Sequence, residues 1–102
     1  MNFEDFNFFQ ELKKQPNIEE IWLYGSRARG DFSDRSDIDL AILCPSATSE
    51  EWMKIEEILD SADTLLKIDG LRFETLPASD TLRKNILKFK KVLYSITSVF
   101  ID

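Results

Sequence analysis

Asp37 and Asp39 stand one residue apart in "SDIDLAIL", Ser36 to Leu43, a run that alternates and then becomes continuously apolar. In a strand, residues i and i+2 share a face with backbones about 6.5 to 7 Å apart, so both carboxylates project to one side. Two unpaired anions on a sheet face repel each other and are costly to desolvate. Hard divalent cations such as magnesium relieve that cost because they prefer oxygen ligands. A pair of ions roughly 3.5 to 4 Å apart, bridged by one carboxylate, is the arrangement of two-metal phosphoryl transfer. A third acid is available in "LLKIDGLRF", where Asp69 again interrupts an apolar strand pattern. If that strand neighbours the first, the three acids meet. Asp-Gly is equally a turn signal, and the residues alone leave both readings open.

Upstream, Gly25-Ser26 ends an apolar run and opens a short helical stretch. Such a turn exposes backbone N–H groups and a hydroxyl, and glycine permits close approach of an anion. Arg27, Arg29 and Arg35 lie between this turn and the acids, a pairing that suits a metal-bound polyphosphate. The Gly25 to Gly30 spacing is not a Walker loop, which needs Lys and then Ser or Thr after its second glycine, whereas Asp31-Phe32 follow here. The dinucleotide-binding glycine pattern is also missing.

The composition sets outer bounds. A chain of 102 residues, 43% hydrophobic and 31% charged, fits one globular domain spanning 1–102 with one core and one site. No apolar run approaches the roughly 20 residues needed to cross a bilayer, and the N-terminus starts acidic and amphipathic, so a cytoplasmic protein with no membrane partner is expected. Cys44 is the single cysteine and there is no histidine, which excludes an internal disulfide and the usual Cys/His zinc sites. The net charge of −6 repels nucleic acid, so direct nucleic-acid binding is not expected.

The elements that must position these residues follow from periodicity. Phe3, Phe6, Phe9 and Leu12, with Phe8 beside them, predict an amphipathic helix over residues 2 to 15, ended near Pro16. Residues 18–25 read as a strand into a turn, 26–30 as a brief helix and 36–43 as a buried strand. Ser49 is the expected cap of a helix carrying Trp52, Ile55, Ile58 and Leu59 on one face. Residues 65–76 read as a strand interrupted or bulged at Gly70. A closing helix carries Leu82, Ile86, Leu87 and Phe89, with a terminal strand over Val92 to Tyr94. This order predicts an α/β (α+β) fold, a mixed sheet flanked by helices.

"GSRARGDFSDRSDIDLAIL" resembles the signature of the DNA polymerase β-like nucleotidyltransferase superfamily, in particular its minimal nucleotidyltransferase (MNT) branch, written G-S, a spacer, then D-x-D. Gly25, Ser26, Asp37 and Asp39 occupy the motif positions, and Arg29-Gly30 and Ser36 are typical of the branch. "KIDGLRFETLPASDTLRKNILKFKKVLYS" is similar to the later strand and closing helix of the family, where the third metal carboxylate falls at Asp69. The resemblance covers most of residues 18 to 94. It implies ATP as substrate and Mg2+, as two ions, held by Asp37, Asp39 and Asp69. It further implies that Gly25 and Ser26 hold the β- and γ-phosphates, that Arg27 or Arg29 neutralises the leaving pyrophosphate, and that an acceptor hydroxyl attacks the α-phosphorus.

The chain has little room for an acceptor-binding domain. Minimal nucleotidyltransferases are similar in this respect, and many pair with a helical HEPN toxin, to whose tyrosine hydroxyl they transfer AMP, acting as the antitoxin. The resemblance therefore implies a HEPN partner and a homo- or hetero-oligomer. Two other readings stand beside it: a non-catalytic partner-binding module that senses nucleotide, and a small-molecule nucleotidyltransferase completed by dimerisation. Phe3, Phe6, Phe8, Phe9 and Trp52 serve either as partner surface or as packing on the domain's own sheet.

Overall fold

The computed structural model describes residues 2–97; Met1 and residues 98–102 of the expected domain lie outside the described residues. Four strands, β1 (Glu20–Tyr24), β2 (Ile38–Leu43), β3 (Ile68–Arg72) and β4 (Lys91–Ser95), form one sheet in the order β3-β2-β1-β4. β1 runs antiparallel to both β2 and β4, whereas β2 and β3 are parallel, so the sheet is mixed as expected. The helices are α1 (Asn7–Lys13), α2 (Ser26–Arg29), α3 (Ser49–Asp60) and α4 (Thr81–Phe89).

Alternation along the strands separates two faces. On one, Ile38, Leu40 and Ile42 of β2 and Ile21 and Leu23 of β1 pack with Phe8, Phe9 and Leu12 of α1 and with Ile55, Ile58 and Leu59 of α3. The N-terminal phenylalanines therefore belong to the protein's own core, with Phe6 and Trp52 packed partly buried against it. On the other face a smaller cluster joins Trp22 and Ala41 to Phe73 and to Ile86 of α4. Helix α4 covers only part of that face, and the acids lie where it does not.

Several boundaries differ from expectation, each for a local reason. The N-terminal helix is split: a 3-10 turn spans Phe3–Asp5, Phe6 is extended, and α1 begins at Asn7. Phe6 has no capping side chain, and the Asp63 carboxylate takes that role from across the fold, accepting from the amides of Asn7 at 3.0 Å and Phe8 at 3.1 Å. α3 is capped by Thr48 rather than Ser49, through a capping box in which the Thr48 side chain accepts from the Glu51 amide and the Glu51 carboxylate accepts from the Thr48 amide. β3 is shorter than its apolar run and pairs with β2 in unbroken register through Gly70, so there is no bulge. A side chain at Gly70 would collide with Leu59, so this glycine lets α3 sit close upon β3. On α4 only Ile86 is buried, while Leu82, Leu87 and Phe89 are exposed.

Candidate active site

The site is built on the half-open face. β2 begins at Ile38, so Asp39 lies within the strand and Asp37 just before it, a correction to a strand that takes in both acids. Asp37 is exposed and Asp39 half-buried. The parallel register places Asp39 beside Asp69, and the antiparallel register places Tyr24 on the other side of Asp39. With strands about 4.8 Å apart, Tyr24, Asp39 and Asp69 form one row across the sheet. The strand neighbourhood on which a shared site for Asp39 and Asp69 depends is therefore present.

The electrostatics follow from that row. Burial pushes the Asp39 carboxyl above its usual range, and the negative charges of Asp69 and Asp37 push it further; Arg29 and Lys67 act in the opposite direction. The Tyr24 phenol is pushed up to about 12 by burial and then by the charges of Asp39 and Asp69, so it stays neutral. Lys67 Nζ lies 3.4 Å from Asp69 Oδ1, an exposed pair that offsets only part of the acid charge. The row carries more negative charge than its neighbours neutralise, which is the condition a hard cation relieves. The donor set, carboxylate oxygens alone, fits magnesium chemically. Among the described residues no three acid, cysteine or histidine side chains converge closely enough to enclose a cation as they stand.

Gly25 has φ +72°, a left-handed value that favours glycine, and a Cβ there would collide with the Asp39 carboxylate. The turn and the acid are thus in direct apposition. Gly25 caps the start of α2 and its carbonyl accepts from the Ala28 and Arg29 amides, while the Ser26 and Arg27 amides head the helix without intrahelical partners. Gly30, at φ +91°, ends the helix.

The two arginines diverge. Arg29 is exposed, makes a loose contact with Asp31 (Nε to Oδ2, 3.4 Å) and acts electrostatically on Asp39. Arg27 is 8% exposed; its Nε and Nη2 donate to the Ser36 carbonyl at 3.2 and 3.1 Å, Nη2 also donates to the Asp34 carbonyl at 3.3 Å, and the guanidinium lies 4.9 Å from the Phe32 ring centroid. Its Nε and Nη2 are thus engaged by the loop that delivers Asp37, so Arg27 braces that loop. Sequence reasoning passed over Tyr24 and Lys67. The signal for both was the strand period, since each lies two positions from a residue of the same face, Trp22 and Asp69.

The fold is similar to several solved structures. A toxin-antitoxin structure with AMP-PNP matches at TM-score 0.65 and 21% identity, covering 97% of this chain and 77% of that one. A MntA-HpeT toxin-antitoxin mutant, with two aspartates two positions apart changed to glutamate, matches at TM-score 0.62 and 18% identity, covering 97% and 77%. A candidate nucleotidyltransferase from Sulfolobus solfataricus matches at TM-score 0.57 and 25% identity, covering 88% and 76%. No curated protein matches the sequence. The family model described as Polymerase beta, Nucleotidyltransferase matches residues 8–98, nearly the whole chain. Because that model spans nearly the whole chain, the chain belongs to the polymerase beta nucleotidyltransferase family.

Proposed function

We propose that this nucleotidyltransferase transfers AMP from ATP to a hydroxyl of a protein partner, a tyrosine of a HEPN-type toxin, and so acts as its antitoxin. The observation that carries the reading is the row of Asp39 and Asp69 side by side, with Asp37 at the strand's start and Gly25 against Asp39. Similarity to two toxin-antitoxin structures, one with an adenine nucleotide analogue, supports the choice of nucleotide and of partner class.

Asp37, Asp39 and Asp69 would hold Mg2+. Magnesium bound there supplies charge neutralisation of the triphosphate and favours ionisation of the acceptor hydroxyl. The chain's own groups orient the reactants. The Gly25-Ser26 turn holds the β- and γ-phosphates through backbone amides and the Ser26 hydroxyl, and Arg29 adds positive charge on the acid side. Tyr24, neutral at physiological pH, adds no charge to the row and walls one side of it. The acceptor oxygen attacks the α-phosphorus, its bond to phosphorus forms as the bond to pyrophosphate breaks, and the hydroxyl proton leaves across the open face.

The test is transfer of label from α-labelled ATP to the purified partner toxin, with magnesium and with chelator. Label on the toxin that requires magnesium and is lost with a Tyr→Phe toxin or with Asp39→Asn supports the reading. Full neutralisation of the toxin by Asp39→Asn without any label transfer would sink it in favour of a binding module.

A further inference from the structure

Helix α4 and strand β4 carry the opposite charge to the rest of the chain. From Thr81 to Thr97 there are Arg83, Lys84, Lys88, Lys90 and Lys91 and no carboxylate, within a chain of net charge −6. Among the described residues none of these cations forms an ion pair. Three lie over aromatic rings instead: Arg83 on Phe73 at 4.6 Å, Lys88 on Phe89 at 5.2 Å and Lys90 on Trp22 at 4.7 Å. The same segment leaves Leu82 40%, Leu87 44%, Phe89 43% and Val92 52% exposed. Cations without carboxylate partners beside uncovered apolar side chains are complementary in charge and polarity to an acidic, apolar surface.

We propose that this ridge is the docking surface for an acidic, apolar segment of the acceptor protein, an inference that rests on the protein-acceptor reading above. The choice of an acidic protein over nucleic acid comes from the exposed groups. They are mainly aliphatic, and among the described residues of the ridge Phe89 is the one exposed aromatic ring, too little to stack successive bases. The negative remainder of the chain would also repel a long polyanion, whereas a local acidic segment needs only the ridge. The ridge also lies within reach of the site. Lys90 lies over Trp22, on the face that carries Tyr24 and Asp39, and β4, which follows it, is two strand spacings, about 10 Å, from the strand of Asp39. A segment held there presents a tyrosine side chain toward the acid row.

Two synthetic peptides of equal length test this, one with a tyrosine among Glu and Leu, the other with Lys in place of each Glu. Their binding is read by fluorescence anisotropy without nucleotide, and label transfer from ATP is read separately. The acidic peptide is expected to bind about tenfold tighter at low salt, an advantage that shrinks as salt rises. The double variant Lys84→Glu/Lys88→Glu, on exposed positions and checked for folding by circular dichroism, should reverse that preference, and Leu87→Ser should weaken the acidic peptide alone. Equal binding of the two peptides, or tighter binding of a single-stranded RNA of matching charge that the double variant abolishes, would overturn the assignment. Acidic-selective binding with no label transfer upholds the ridge while removing the adenylyl-transfer reading. Transfer without peptide preference does the reverse.

Discussion

Alternate residues of β2 meet opposite environments. Ile38, Leu40 and Ile42 are 0% exposed beneath α1 and α3, whereas Asp39, between them in sequence, is half-buried on the face that α4 leaves open. The pleat divides the labour of one strand: the even positions pack into the larger core, while on the odd side Ala41 packs with Phe73 and Ile86 and Asp39 faces the chemistry. The cost is visible at Asp39, which among the described residues gains no close ion pair and is burdened by Asp69 and Asp37. Stability and activity should therefore separate residue by residue along a single strand.

The widest separation is between neighbours. Asp39→Asn should lower nucleotidyl transfer by about a thousandfold without lowering the melting temperature, since it removes a burdened carboxylate. Leu40→Ala should cost about 3 kcal/mol of stability, while the fraction that remains folded keeps its magnesium-dependent ATP affinity. Chemical denaturation paired with calorimetric ATP titration reads both; a large loss of stability in Asp39→Asn would erase the distinction between the faces.

A finer comparison uses two glycines that both have positive φ. Gly25→Ala combines backbone strain of about 1–2 kcal/mol with a collision against the Asp39 carboxylate, so both stability and ATP affinity should fall. Gly30→Ala meets open space, so it should show the strain alone, with affinity unchanged. Equal losses of affinity in the two variants would mean that contact with Asp39 is not what Gly25 contributes.

The smallest effect is in pH dependence. Because folding raises the Asp39 carboxyl, the folded state binds its proton more readily than the unfolded chain. Its contribution costs nothing below the ordinary carboxylate value, and stability falls as pH rises through that value to the elevated folded one. Asp63 has the opposite sign: its carboxyl is lowered by the Asn7 and Phe8 amides, so its contribution is present above the ordinary value and is lost as pH falls through the lowered one. In metal-free buffer, thermal melts across the acid range should show Asp39→Asn gaining on the wild type toward neutral pH and matching it in acid. A constant offset at every pH would remove the assigned cause.

The sequence carried the element order and the acids because both rest on local signals: periodicity for strands and helices, and charge out of place in an apolar run. It did not carry the parallel pairing of β2 and β3, which depends on residues some thirty positions apart and turns Asp69 from a turn signal into Asp39's neighbour. Long-range hydrogen bonds were equally illegible, as with Asp63 capping α1. Arg27 is likewise indistinguishable from Arg29 in the sequence, and the bonds from its Nε and Nη2 to the Ser36 and Asp34 carbonyls depend on the fold of the loop. The apolar residues of α4 mark a helix, but helical spacing does not report that Leu82 and Leu87 stay exposed while Ile86 is buried.

The parallel pairing of β2 with β3 has a kinetic consequence. Parallel neighbours cannot be joined by a tight hairpin, and here the whole of α3 lies in the crossover between them. Pairings distant in sequence form late because chain closure must come before they gain any energy. During refolding from denaturant, helical circular dichroism should therefore recover before the Asp39–Asp69 row exists, with magnesium-dependent nucleotide binding returning in a slower phase. A ribosome-bound chain would likewise remain inert until the segment through Arg72 had cleared the exit tunnel.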